Sequence, residues 1–211
     1  MYTWQVPKTA SPLVRRALIE RAAELLSRRE PVTLRSLLDG TGASTMAVYT
    51  HFDGMPGLWR AVRQEGFTRL AQQLATVNTT SDPVRDLVAF GAAYLSNALA
   101  QPNLYRAMFD ASFDLEDPAA ADAGFEVLVR CASRAQHVGR FSEQAVPEAV
   151  ATRFWAAGHG LAMLVLNGVL PASALAEHAP SIATALFLAA GDDEDACRRS
   201  VRTGWRRFAA G

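Results

Sequence analysis

The sequence predicts an all-α protein: a three-helix N-terminal helix-turn-helix domain followed by a larger helical domain. Three observations lead there. Apolar residues recur at helical spacing in nearly every segment, and no segment sustains the period-two alternation of a half-buried strand. Residues 32–52, V-T-L-R-S-L-L-D-G-T-G-A-S-T-M-A-V-Y-T-H-F, are two short helical patterns joined by a glycine turn. Residues 78–83, N-T-T-S-D-P, make a polar break between longer periodic stretches.

The first helix opens at Ser11-Pro12, with serine as N-cap and proline at the first helical position. Leu18, Ala22, Leu25 and Leu26 form its inner face, and Glu30-Pro31 stops it. Thr33 is placed to cap the second helix through its hydroxyl, and Leu34, Leu37 and Leu38 give that helix one apolar face. Thr41-Gly42 is expected to end it, because glycine enters the left-handed region at no steric cost. Ser44 caps the third helix, with Val48 and Phe52 inward.

A turn over residues 52–56 then leads into a long helix that tolerates Pro56 in its first turn and runs to about Val77. Beyond the break, helical patterns fall near residues 83–101, 103–113, 119–138, 146–170, 175–190 and 193–208. Pro102, Pro118, Pro147, Pro171 and Pro180 stand at or near their edges. The expected organisation is an arm over residues 1–10, the helix-turn-helix domain over 11–55, a linking helix over 56–77 and a C-terminal domain over 78–211.

With 211 residues, half of them apolar, the chain can bury a substantial core. No run of about 18 residues is free of polar interruption, and residues 1–11 lack a signal-like apolar core, so no membrane span is expected and the cytoplasm is the default. Cys131 and Cys197 suggest no disulfide framework. His51, His137, His159 and His178 have no metal-ligand spacing. No nucleophile elbow, phosphate loop or paired-carboxylate motif is present, so neither catalysis nor a cofactor is expected. The net charge of zero is unevenly spread: residues 1–70 hold ten basic and six acidic side chains, and the remainder has the opposite excess. That split suits a polyanion-binding module on an ordinary body.

The second helix of a helix-turn-helix enters the DNA major groove. Here Thr45, Met46, Ala47, Tyr49, Thr50 and His51 are expected to be partly solvent-facing, with Ser44 at the helix start. Thr45 and Thr50 suit bonds to bases or phosphates, and Met46 and Ala47 suit thymine methyls. Tyr49 and His51 suit phosphate oxygens, which position the module without specifying sequence. Thr33 and Arg35 are the candidate backbone contacts on the preceding helix, where first-turn amides favour an anion. Lys8, Arg15 and Arg16 could reach phosphate or a minor groove. The competing reading is that Tyr49 and His51 simply pack the domain.

Gly42, Ser44, Tyr49, His51 and Phe52 stand in register with the glycine, then small-polar-x-x-Tyr-x-His-Phe, of the TetR family of bacterial repressors, and residues 11–63 resemble that family's DNA-binding domain. Met55 and Pro56 stand where the family carries a phosphate-contacting lysine and an acid, so Arg60 or Arg63 is the candidate replacement. Trp155, His159 and Gly160, with residues 97–109, resemble the Trp-His-Gly C-terminal subtype. The resemblance implies a homodimer, double-stranded DNA with a near-palindromic operator as partner, and a small-molecule effector in the C-terminal domain.

Trp155, His159, Met163 and Asn167 lie along nearly one helix face. His159 or Asn167 then bonds a polar group of an apolar effector, or the face is a core seam whose histidine meets a backbone carbonyl. Phe90, Tyr94, Tyr105, Met108, Phe109, Phe113, Phe125 and Leu128 are candidate apolar lining or plain core. Ala156, Gly160 and Leu164, with Ala183, Phe187 and Ala190, offer small-residue stripes for dimerisation. The arginine-rich final helix reads as a cap with its arginines in solvent, or as a surface for membrane or nucleic acid. Two other functions stay open: a helical small-molecule carrier with a vestigial DNA motif, and an activator.

Overall fold

The computed structural model describes residues 11–28, 30–112 and 114–209, with backbone alone at 207–209; the expected arm over residues 1–10, with Lys8, lies outside the described residues. The described residues form ten helices and no strand. They divide into two compact units that do not follow chain order. One holds the residues up to Arg69 together with 101–120, and the other holds 70–100 and the residues from 121 onward.

The first unit is built on α1 (Pro12–Ser27), α2 (Leu34–Leu38), α3 (Thr45–Phe52), the greater part of α4 (Met55–Ala75) and α6 (Pro102–Met108). Its core joins Leu18, Ile19 and Ala22 of α1 to Leu37, Val48, Phe52, Leu58 and Val62. Burial of each such aliphatic side chain contributes roughly 1.5–3 kcal/mol. Leu104 and Ala107 of α6 enter the same core, so a helix expected in the C-terminal domain packs instead with the N-terminal ones. The junction is tight: a Cβ on Gly66 would stand 2.6 Å from the Cβ of Met108.

Capping follows the sequence at two helices and departs from it at a third. Ser11 accepts from the Leu13 amide, and Thr33 forms a reciprocal capping box with Ser36. Ser44 stands at the N-cap of α3 but its side chain makes no cap bond. Helix α2 ends at Leu38, and Gly40 (φ +74°) turns the chain before Gly42 (φ +65°) does. Between α3 and α4, Asp53 (φ 55°) and Gly54 (φ 98°) are both left-handed, which lets α4 start at once.

The second unit is centred on α5 (Pro83–Ala100), whose residues are buried nearly all round. Around it stand α7 (Ala119–His137), α8 (Pro147–Leu166), α9 (Ser173–Ala189) and α10 (Glu194–Ala209). Helix α10 lies closely against α5, since a Cβ on Gly204 would come within 2.5 Å of the Arg85 carbonyl. Pro180 sits inside α9 and not at a boundary. Phe141 and Phe154 both pack on the Phe187 ring, with centroids 5.7 and 5.2 Å away.

Two ionic knots hold this unit. Arg140 grips Asp192 with two bonds of 2.6 and 2.8 Å and reaches Asp82 and Ser200. Asp86, whose side chain is inaccessible, accepts from Thr80, Arg85 and Arg134. Burial pushes its carboxyl upward, but the Thr80 amide and the two guanidiniums outweigh that and hold it below the ordinary range.

Candidate nucleic-acid interface and effector site

Helix α3 reaches solvent along one side. Ser44, Thr45, Met46, Tyr49 and Thr50 are exposed, with Met46 at 65% and Tyr49 at 54%. Ala47, expected to face solvent, is fully buried. It lies one residue before Val48 and five before Phe52, so the arc that seats those two in the core takes Ala47 with them. Ala47 therefore leaves the set of candidate contacts.

His51 is half-buried, its ring tilted against Phe52 with centroids 5.8 Å apart. Its Nε2 is buried without a hydrogen-bond partner. The packing alternative raised from the sequence thus describes His51 better than it describes Tyr49. Thr50 turns its hydroxyl back to the Met46 carbonyl at 2.8 Å, leaving its oxygen able to accept.

Thr33 and Arg35 are both exposed on α2. Two of the expected anion-binding amides there are already engaged, for a local reason. Helix α2 has five residues, the Ser36 amide is taken by the Thr33 hydroxyl, and the Leu37 amide by the Thr33 carbonyl. Arg15 lies over the Phe52 ring at 5.5 Å, and Arg16 pairs with Glu20 at 2.9 Å.

The positive excess of residues 1–70 does not survive folding. Residues 101–120 bring Asp110, Asp114, Glu116 and Asp117 into the same unit, whose sequence then carries eleven basic and ten acidic side chains.

The candidate effector residues separate. Tyr105, Met108 and Phe109 belong to the first unit, where Phe109 meets Tyr105 edge-on at 5.3 Å and Phe67 at 6.0 Å. Tyr105 and Met108 are fully buried there. Phe90, Tyr94, Phe125, Leu128, Trp155, His159 and Met163 belong to the second.

Within that second set lies a polar chain that helical spacing alone could not show. Trp155 Nε1 donates to the Tyr94 hydroxyl at 3.3 Å, which lies 3.1 Å from His159 Nδ1. Phe125 packs edge-on to Trp155 at 6.1 Å. His159 thus meets a tyrosine hydroxyl, where the sequence had offered an effector group or a backbone carbonyl. Burial pushes its pKa below the ordinary 6.5. We assign the neutral ring's proton to Nε2, so that Tyr94 donates to Nδ1. Asn167 caps the end of α8 and is exposed.

Helix α8, with a mean hydropathy of 1.3, has the length and composition of a membrane-crossing helix, but the polar interruptions noted in the sequence fall within it. It carries Glu148, Arg153 and His159, and 22% of its apolar window is buried within the chain. Its exposed row is Thr152, Ala156, Gly160 and Leu164, and that of α9 is Glu177, Ser181, Ala185 and Ala189. Ala183, Phe187 and Ala190, expected in a dimer stripe, are instead buried inside the subunit. Among the described residues no group of three His, Cys, Asp or Glu could hold a metal.

Fold and site together define an all-helical protein with an N-terminal helix-turn-helix. Residues 87–186 match a family model described as the tetracyclin repressor-like C-terminal domain. An uncharacterised HTH-type transcriptional regulator of Mycobacterium tuberculosis, Rv0681, is 26% identical over 160 residues, covering 75% of this chain and 72% of that one. Among solved structures, a Rhodococcus sp. RHA1 protein of unknown function is 25% identical, with a TM-score of 0.70 over 88% of this chain and 99% of its own. TylP, a TetR regulator from Streptomyces fradiae, is 17% identical with a TM-score of 0.67, over 93% and 94%. The chain is thus similar to the tetracyclin repressor-like C-terminal domain over residues 87–186 and shares its fold with TetR regulators of known structure.

Proposed function

We propose that the protein is a homodimeric, cytoplasmic repressor that binds a near-palindromic operator and is released by a small, largely apolar effector. One observation carries the reading. Helix α3 seats Ala47, Val48 and Phe52 in the core while Thr45, Met46, Tyr49 and Thr50 face solvent. A rigidly seated helix with a mixed polar and apolar outer face suits base readout in the major groove.

The effector region in this reading is the Trp155, Tyr94 and His159 chain with Phe125 packed on Trp155, together with Phe90 of α5, Leu128 of α7 and Met163 further along α8. It includes the Trp-His-Gly subtype. An apolar ligand with one polar group would fit such a lining. The ligand acts to the extent that it binds the DNA-competent and released conformations unequally. The exposed small-residue rows of α8 and α9 support the homodimer, because backbones can approach closely there. The domain roles follow: DNA binding in the helix-turn-helix domain, effector binding and dimerisation in the C-terminal one.

The test is selection of duplexes from a randomised library, followed by anisotropy with wild type and Tyr49→Ala. Sequence-dependent binding lost in the variant supports the reading. No selected duplex, with variant and wild type alike, overturns it in favour of a carrier with a vestigial motif.

A further inference from the structure

Helix α10 divides sharply between its two sides. Cys197, Ser200 and Val201 are buried, and a Cβ on Gly204 would stand 2.8 Å from the Cβ of Val88 on α5. Arg198, Arg199, Arg202 and Arg206 are all exposed. Arg198 is held by Glu194, with bonds of 3.0 and 2.7 Å. Arg199, Arg202 and Arg206 bond no described carboxylate, although Asp195 stands one turn before Arg199. Elsewhere in this unit the fold gives its arginines counter-charges. Arg85 and Arg134 hold Asp86, Arg130 holds Glu126 at 3.3 Å, and Arg140 holds Asp192. Arg153 on α8 is the other described arginine of the unit outside such a pair.

At about 100° and 1.5 Å per residue, Arg199, Arg202 and Arg206 fall within an arc of roughly 60° and span roughly 10 Å of helix. A helix dipole favours cations only within the last turn, which reaches Arg206 and neither of the other two. Guanidiniums held in one row repel one another, so the row favours an anion long enough to span it. An amphipathic helix enters a bilayer surface by burying its apolar side there, and α5 already occupies that side of α10. Nucleic acid needs only the outward side. Along one strand of a duplex the charges recur about every 3.4 Å of axis, so the row matches about three successive phosphates. Each planar guanidinium can bond phosphate oxygens two at a time.

We propose that Arg199, Arg202 and Arg206 form a second nucleic-acid contact, a row on the second unit that binds the phosphate backbone without reading sequence. It acts independently of the reading helix, needing neither Tyr49 nor a particular operator. Its affinity comes from neutralised phosphates alone, so it falls steeply with salt.

The probe is a duplex of scrambled sequence, bound by the full chain carrying Tyr49→Ala, with affinity followed between about 50 and 200 mM salt. Adding Arg199→Gln, Arg202→Gln and Arg206→Gln together is expected to flatten the slope of log K against log salt by about 2.7, a roughly 40-fold change in relative affinity across that range. Arg202→Gln alone takes about 0.9 of it. Arg202→Lys keeps the slope, and Arg198→Gln, which removes a guanidinium already paired with Glu194, leaves it unchanged. An unchanged thermal midpoint separates lost contact from lost fold. An unaltered slope in the triple variant, or no binding of scrambled duplex by Tyr49→Ala, overturns the row whether or not the unsubstituted chain selects an operator. Capture by phosphatidylserine vesicles in place of duplex also overturns it, in favour of a membrane surface.

Discussion

A side chain on Gly57 would overlap the carbonyl oxygen of Phe52, with its Cβ 2.8 Å from the carbonyl carbon. Backbone, not a movable side chain, occupies that space, so α3 and α4 can meet only where residue 57 has no Cβ. The orientation of the candidate reading helix hangs on this contact. Gly57→Ala is expected to destabilise the protein by about 2–4 kcal/mol, as overpacking against backbone does. Urea unfolding checks this, and selected-duplex affinity should fall even in conditions where the variant stays folded.

The Arg140–Asp192 pair gives a second expectation. The Asp192 side chain is inaccessible to solvent, so removing its partner strands a buried carboxylate. Arg140→Met should cost about 3–5 kcal/mol. The double variant Arg140→Met/Asp192→Leu should cost clearly less than the two single changes added together. Denaturant midpoints of the four proteins decide it; additivity would show that the pair does not act as a unit.

His159 sets a pH dependence. Burial lowers its pKa in the folded chain, so the unfolded chain takes up the proton first. Its contribution to stability is complete above the ordinary value of 6.5 and is lost as pH falls below it toward the folded pKa. Wild type should lose urea resistance between pH 8 and pH 5.5 more steeply than His159→Gln. Parallel curves would remove this role from the histidine.

Burial raises the Cys131 thiol to about 11 and the Cys197 thiol to about 12. Neither forms appreciable thiolate at neutral pH, and the thiolate is the reactive species. A disulfide reagent at pH 8 should label neither cysteine in the native protein and both after unfolding. Rapid native labelling would contradict this burial and point to a reactive thiol.

Leu164 is 43% exposed at the end of the outward row on α8, beside the proposed dimer surface. Leu164→Arg should shift the protein toward monomer in sedimentation velocity, with little change in the intrinsic helicity of the subunit. An unchanged dimer would place the interface elsewhere.

The sequence by itself determined what local spacing encodes. Ser11 and Thr33 cap their helices because the N–H groups they bond lie two and three residues on, inside the window that a sequence displays. Helical class and the turn before α4 are legible for the same reason, as is the inward row of Val48 and Phe52. Tertiary structure alone decided the pairings over long separations. It joined Tyr94 to His159 across 65 residues and put α6 into the N-terminal core. It neutralised the basic first third with Asp110, Asp114, Glu116 and Asp117, buried Ala47, and turned Ala183, Phe187 and Ala190 inward. It also separated Arg60 from Arg63, two candidates of equal standing in sequence, by bonding one to Met108 and leaving the other in solvent. The physical reason is common to all of these. A side chain's periodicity states which face of its own helix it occupies, whereas its partner depends on which other helix packs there, and only the folded core selects that.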